Sequence, residues 1–291
     1  MVHVDPAQAA CQMEILKLQA FAAFLFGLCW GSFINVCIWR LPRQISLVTP
    51  RSHCISCGTT IRWYDNIPLL SYIFLAGRCR SCGSPFSIRY FLVELLTGAL
   101  FAAVLWVGRS RDLSWGAVVV QTILAGALVA ASFIDADWRI IPNEITIPGM
   151  ILLPILALVV PDMIAPAERV ISCGIVRLDA AVSSLAGLAA GGAAIWTIGA
   201  VGKLIFRKDA MGFGDVKLMA MVGACLGWKS VLLAIVLSSF LGAAVGVVLL
   251  IRRGSHVIPY GPFLSAASLL MLLAGSSIRG FTAKLIFGGA P

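Results

Sequence analysis

The chain is built around uninterrupted apolar runs, several of which reach the ~20 residues a helix needs to cross the hydrocarbon core of a bilayer. Leu18 to Ile38 is almost wholly apolar and ends on Arg40 and Arg43. Further runs extend from Phe91 to Val107, Trp115 to Ile134, Ile145 to Val160, Ala180 to Phe206, Leu218 to Trp228, Val231 to Ile251 and Pro262 to Ile278. In lipid the backbone must satisfy its own polar groups, so runs of this kind are read as helices. The expected fold is an all-α polytopic membrane protein with about eight transmembrane helices. Composition agrees. Of 291 residues 60% are hydrophobic and 12% charged, about half the charge of a soluble domain. That excludes an ordinary water-soluble enzyme, a disordered chain and a coiled coil. The sixth run is too short to cross ~30 Å as a straight helix, so it is expected to be tilted or partly re-entrant. The first run is not read as a cleaved signal peptide, because Asp5 and Glu14 precede Lys17 and no small-residue cleavage site follows before Arg40.

The net charge of +9 raises nucleic acid as a partner, but Lys and Arg fall between the apolar runs, where they usually set membrane orientation. No nucleic-acid partner is expected; membrane lipid is. With the N-terminus outside, the segments near 39–90, 135–144, 203–217 and 252–261 face the cytoplasm. They carry 14 of the 22 Lys and Arg, against 8 elsewhere. This bias favours the N-out arrangement.

The stretch 40–90 is the one long segment that is not a plausible span, with seven arginines against one acid, Asp65. It holds Cys54-Ile-Ser-Cys57 and Cys79-Arg-Ser-Cys82, two Cys-x-x-Cys pairs 21 residues apart, each followed by a glycine, Gly58 and Gly83. That spacing lets each pair present two thiolates to one ion, as in a zinc ribbon. The other reading is two disulfides or a redox pair, which a reducing cytoplasm disfavours. A four-thiolate site has no open coordination position, so zinc here would fold the loop rather than do chemistry. His53 is a rival ligand or a solvated loop histidine. Cys11, Cys29, Cys37, Cys173 and Cys225 show no matching spacing and are read as structural or incidental. The Gly- and Ala-rich stretch Gly187 to Ala194 is read as close helix packing rather than a phosphate loop.

Two acidic motifs stand at the inner ends of spans by this topology: Asp135-Ala-Asp137-Trp-Arg139-Ile-Ile-Pro142-Asn143 and Gly212-Phe213-Gly214-Asp215-Val216-Lys217. Carboxylates at a span's margin are costly unless solvated or paired. Two that lie close together share a proton, so one can take a proton from water while the other gives one, the chemistry of aspartyl proteolysis. Spacing alone leaves open an interfacial cap in which Arg139 pairs with Asp135 or Asp137.

Taken together, the ordered motifs resemble the type IV prepilin peptidase family. They are Gly31-Ser-Phe-Ile-Asn35-Val with Arg40-Leu-Pro42, the paired Cys-x-x-Cys, Tyr64-Asp65-Asn66-Ile67-Pro68, Arg89-Tyr90 with Glu94, the Asp135 to Pro142 segment and Gly212-x-Gly214-Asp215-x-Lys217. The resemblance runs from about residue 27 to about 228. It implies a bifunctional enzyme of the bacterial inner membrane. Such an enzyme cuts the basic leader from type IV prepilins or type II secretion pseudopilins after a glycine at the cytoplasmic face. It then methylates the new N-terminal residue with S-adenosylmethionine as donor. The catalytic pair it implies is Asp135 and Asp215, with Asp135 preferred to Asp137 for its seven-residue distance from Pro142. The four cysteines Cys54, Cys57, Cys79 and Cys82 would hold structural zinc. Residues 1–98, with the loop at about 40–90 and the start of the second helix, would belong to methyl transfer, and 99–291 to the peptidase core.

The sequence departs from the family where Asn143 follows the proline in place of a frequent aspartate, and at Ser52-His53 before the first knuckle. The resemblance carries no contact residues for the methyl donor onto this chain. Glu94 is read either as near the methyl-transfer site or as a helix-start carboxylate, and Lys217 either as tuning Asp215 or as snorkelling to headgroups. The loop's arginines are expected to meet anionic headgroups or a substrate carboxylate. Two other classes remain as rivals: a transporter or channel relaying protons through Asp135, Asp215 and Lys217, and an assembly factor built on the zinc loop.

Overall fold

The computed structural model describes residues 6–171, 174–207, 211–253 and 259–287. Among them the regular secondary structure is helical, apart from two isolated β-bridges. Contacts divide the chain into two compact units, one ending at Asp112 and the other beginning at Leu113.

The first unit pairs α1 (Pro6–Arg40) with α3 (Ile88–Ser110). Between them the loop carries 3-10 turns at Leu41–Arg43 and Trp63–Asn66 and a short helix α2 (Leu70–Phe74). Helices in lipid gain little from apolar contact alone, so they rely on small residues that let backbones approach. Gly27 and Gly31 do this on α1. A Cβ on Gly31 would lie 2.7 Å from the Cα of Glu94. The start of α3 is fixed by Ser87, whose hydroxyl accepts the N–H of Arg89 at 3.2 Å.

The second unit comprises α4 (Trp115–Trp138), α5 (Asn143–Val159), α6 (Val176–Phe206), α7 (Phe213–Leu226), α8 (Trp228–Arg253) and α9 (Gly261–Phe287). With α1 and α3 these match the eight apolar runs one for one. Among the described residues six helices, against the eight expected, are long and apolar enough to cross a membrane, namely α1, α3, α4, α6, α8 and α9. The 17-residue α5 contains Pro148 and Pro154. The sixth run is the 14-residue α7, about 21 Å long at 1.5 Å per residue. Every residue from Leu218 to Leu226 is buried, because α7 is packed against α4, α5, α6, α8 and α9. A helix that is apolar all round belongs in such a position.

The small residues of α6 serve packing, as read from the sequence. A Cβ on Gly187 would run into the Gly223 carbonyl and one on Gly191 into that of Met219, so α6 and α7 meet backbone to backbone. Ser184 Oγ donates to the Ala224 carbonyl at 2.6 Å along the same seam.

One buried acid holds this unit together away from any sequence motif. Glu168, 0% exposed, accepts the N–H of Lys229 at 2.8 Å and of Ser230 at 3.2 Å, and the Ser230 hydroxyl at 2.7 Å. Arg279 Nη1 of α9 lies 3.3 Å from its carboxylate. Glu168 thus closes the N-terminus of α8, where helix N–H groups favour an anion. Breaking a buried pair on one side leaves the other charge uncompensated, so Glu168→Ala is expected to cost about 3–5 kcal/mol, read as a lowered unfolding temperature in detergent; an unchanged transition would refute the lock.

Candidate functional site

In the first unit the loop folds into two near-identical knuckles. Cys54 N–H donates to the Thr59 carbonyl and Gly58 N–H to that of Cys54, both at 2.9 Å. Cys79 to Ser84 and Gly83 to Cys79 repeat the pattern at the same distances. Gly58 and Gly83 have φ of 72° and 70°, a left-handed turn that glycine enters without a Cβ penalty. The turns bring four thiols together, all within 4.8 Å of one another. Cys54 Sγ lies 3.8 Å from Cys82 Sγ and Cys57 Sγ 4.0 Å from Cys79 Sγ. The edge of a tetrahedron with metal–sulfur bonds of ~2.3 Å is about 3.8 Å, so this arrangement fits a metal ion without disulfides. Hydrogen bonding, first from the Ser84 hydroxyl, pulls the Cys54 thiol down to about 6, while Cys79 in the same cluster is raised, so the metal reading rests on the geometry of the four sulfurs.

His53 is not part of this cluster; its Nδ1 lies 3.0 Å from the Arg51 carbonyl. Of the other cysteines, Cys11 and Cys29 are exposed, Cys37 and Cys225 are buried, and Cys173 falls outside the described residues. Several loop arginines, expected from the sequence to meet anionic headgroups or a substrate carboxylate, brace the loop itself. Arg80 grips Asp65 through Nη2 at 2.6 Å and Nε at 3.0 Å, which holds the Asp65 carboxyl below its usual range. Arg43 donates to the Trp39 carbonyl at 2.6 Å and stacks over that indole.

Glu94 does not stand in the first turn of α3, so the helix-start reading fails. It lies nearly two turns in, 9% exposed, and accepts the Leu69 N–H at 2.8 Å. Leu69 has φ of 57°, and this bond ties the strained loop residue to the helix. Glu94 also borders a half-open cavity of about 170 Å³ between α1, α3 and the loop.

The two aspartates belong to the second unit. Asp135, 7% exposed, is in the last turn of α4, and Asp215, 9% exposed, is in the first turn of α7. The pair is near enough for the charge of Asp135 to act on Asp215. Asp137, two residues on, is exposed. Asp215 sits where the N-terminus of α7 favours an anion, after the N-cap Gly212. A Cβ on Gly214 would meet Ile141 Cβ at 3.1 Å, which explains the second glycine of the motif. Lys217 donates its ammonium to Asn143 Oδ1 at 2.8 Å and lies over the Phe213 ring.

Gly261 was absent from the sequence reading. As the first residue of α9 it donates its N–H to Asp135 Oδ2 at 2.9 Å, and a Cβ there would fall 2.6 Å from the same oxygen. The cue in the sequence is the Gly261-Pro262 pair opening an apolar run, a helix-start signal. Gly261→Ala is expected to push Asp135 out of place and remove a charge-assisted bond worth about 1.5–3 kcal/mol, slowing any chemistry at the pair roughly 10- to 100-fold. Rates of the purified variant check this; wild-type turnover would remove Gly261 from the site.

Two family models match. The bacterial peptidase A24 N-terminal domain covers residues 25–107 and the type IV leader peptidase family covers residues 122–247. The chain is 43% identical over 237 residues to a protein of Myxococcus xanthus named prepilin leader peptidase/N-methyltransferase, a match covering 80% of this chain and 64% of that protein. Proteins of the same name from Aeromonas hydrophila and Pseudomonas aeruginosa are 37% and 36% identical, covering 88% and 87% of this chain and 90% of each relative. No solved structure matches.

Proposed function

The chain belongs to the type IV leader peptidase family, and from that premise we propose that it cleaves prepilin leaders with Asp135 and Asp215 and methylates the product. What supports the peptidase reading is that two buried carboxylates, one in the last turn of α4 and one in the first turn of α7, lie near enough for the charge of Asp135 to act on Asp215. Such a pair holds one proton between two oxygens. The ionised aspartate takes a proton from water as the water oxygen adds to the scissile carbonyl. The protonated one gives its proton to the carbonyl oxygen. Collapse of the tetrahedral intermediate then breaks the carbon–nitrogen bond, the aspartate that took the proton from water passing it to the departing amine. The Gly261 N–H fixes Asp135 throughout.

A prepilin carries a basic leader in water and an apolar helix in lipid. Its protease must therefore work where the two meet, and carboxylates at the cytoplasmic ends of spans meet that need. The enzyme is a multi-pass protein of the inner membrane, which we orient with the N-terminus outside and the pair facing the cytoplasm. The exposed part of the basic loop would meet anionic lipid headgroups.

We assign the four-cysteine cluster to zinc, held by Cys54, Cys57, Cys79 and Cys82. With no open position the ion folds the loop and takes no part in the chemistry. S-adenosylmethionine, when bound, would supply an electrophilic methyl group for the neutral α-amine that cleavage exposes.

The test is to incubate detergent-solubilised enzyme with a prepilin, with and without S-adenosylmethionine, and to read the product N-terminus by mass spectrometry. Loss of the leader in both samples, with one added methyl only when the donor is present, is the expected result. An intact prepilin in the presence of folded enzyme would overturn the peptidase reading and bring proton flux forward as the next measurement.

A further inference from the structure

We infer that the cavity of the first unit is the methyl-donor site, with Arg40 receiving the donor's α-carboxylate and Glu94 facing its cationic groups. This rests on the methyl-transfer reading above.

The cavity lies between the C-terminal end of α1, the N-terminal part of α3 and the folded loop. Arg40 is 5% exposed and borders it. Its Nη1 donates to the Ser46 carbonyl and its Nη2 to the Pro50 carbonyl, both at 2.7 Å. These bonds position the guanidinium but leave three of its five N–H donors. Among the described residues it has no carboxylate partner. A buried cation without an anion is costly, and a ligand carboxylate matches its planar fork. The fold supplies a full opposite charge on another wall, Glu94, set against α1 by the backbone contact at Gly31. Asn35 Nδ2 donates to the Tyr90 carbonyl at 3.0 Å and ties the two helices at this level.

The lining also carries the rings of Trp39, Tyr72 and Tyr90, beside His53, Asp65, which Arg80 already pairs, and the exposed Arg78. Rings of this kind attract a ligand cation through their faces and offer a flat surface for a purine. One buried cation, one buried anion and these aromatic rings complement a zwitterionic amino acid joined through a sulfonium to a nucleoside. A purely apolar ligand would leave both charges unpaired, and a simple anion would leave Glu94 facing its like.

The experiment uses the full-length, zinc-loaded enzyme in detergent. Equilibrium dialysis with radiolabelled S-adenosylmethionine gives affinity, and competition with the decarboxylated analogue gives selectivity. Wild type is expected to prefer the carboxylated donor roughly 10-fold or more, and Arg40→Gln to lose that preference. Glu94→Gln keeps an acceptor for Leu69 and is expected to weaken both ligands. Leader cleavage by the same preparations reports that each variant is folded. Ultraviolet crosslinking of labelled donor to wild type, mapped by mass spectrometry, needs no variant and is expected to mark Trp39, Tyr72 or Tyr90. Crosslinks only beyond Leu113, or unchanged affinity and selectivity in both variants, would overturn the inference while leaving methyl transfer intact. A wild-type enzyme that binds no donor and yields no methylated product would overturn both.

Discussion

Replacing Asp135 or Asp215 by asparagine is expected to slow leader cleavage by roughly 10²- to 10⁴-fold, the range that positioned acid–base groups contribute, with the fold unchanged. Asparagine is nearly isosteric with aspartate, and at position 135 its oxygen still accepts the Gly261 N–H. What is lost is the exchange of a proton between two oxygens. Because the pair acts as a unit, the double variant should be little worse than either single one. Asp137→Asn is expected to cleave at close to the wild-type rate, since Asp137 is exposed while Asp135 is buried. Timed cleavage of a prepilin by the four proteins decides the matter. Near-normal cleavage by either single variant would end the aspartyl reading, and a collapse in Asp137→Asn would move the pair by two residues.

Stripping the metal should have the second large effect, and on a different reaction. Structural zinc in small sites contributes an apparent ~10–16 kcal/mol to folding, far more than a loop of this size gains from its own contacts. Without the ion the knuckles around Cys54 and Cys79 should open, and with them the loop wall of the cavity. Chelation, or Cys54→Ser with Cys79→Ser, is expected to take zinc from one per chain to none. The loop should become protease-sensitive and methyl transfer should be lost. Cleavage should persist, because the aspartate pair is built wholly from α4, α7 and α9. Full methylation by zinc-free protein would refute a folding role for the ion.

The helices were legible because lipid permits few alternatives to them: each apolar run from Leu18 to Ile278 became one helix. The knuckles were legible because ligand spacing is local. The pair of aspartates was different. The Asp135–Asp137 motif alone reads equally as an interfacial cap with Arg139, and bringing Asp135 toward Asp215 depends on α4 packing against α7, which no local pattern encodes. Gly261 was invisible for the same reason, 126 positions from the carboxylate it holds. Glu168 carries no cue in the sequence, since only the fold brings α8 and Arg279 to it. The family resemblance supplied the pairing of Asp135 with Asp215, but not the residues that hold it.

Because α7 is walled in by five neighbours, with carbonyls where α6 would otherwise have Cβ atoms, it has almost no freedom to drift. A change at any position from Leu218 to Leu226 needs a compensating change in a facing helix, so tolerated variants should arise in pairs. The outward faces of α6 and α8 meet a solvent indifferent to which apolar residue it touches, and can diverge one position at a time. Over long divergence this region should therefore change at two tempos, slow at its axis and fast at its rim, with Asp215 carried on the slow part.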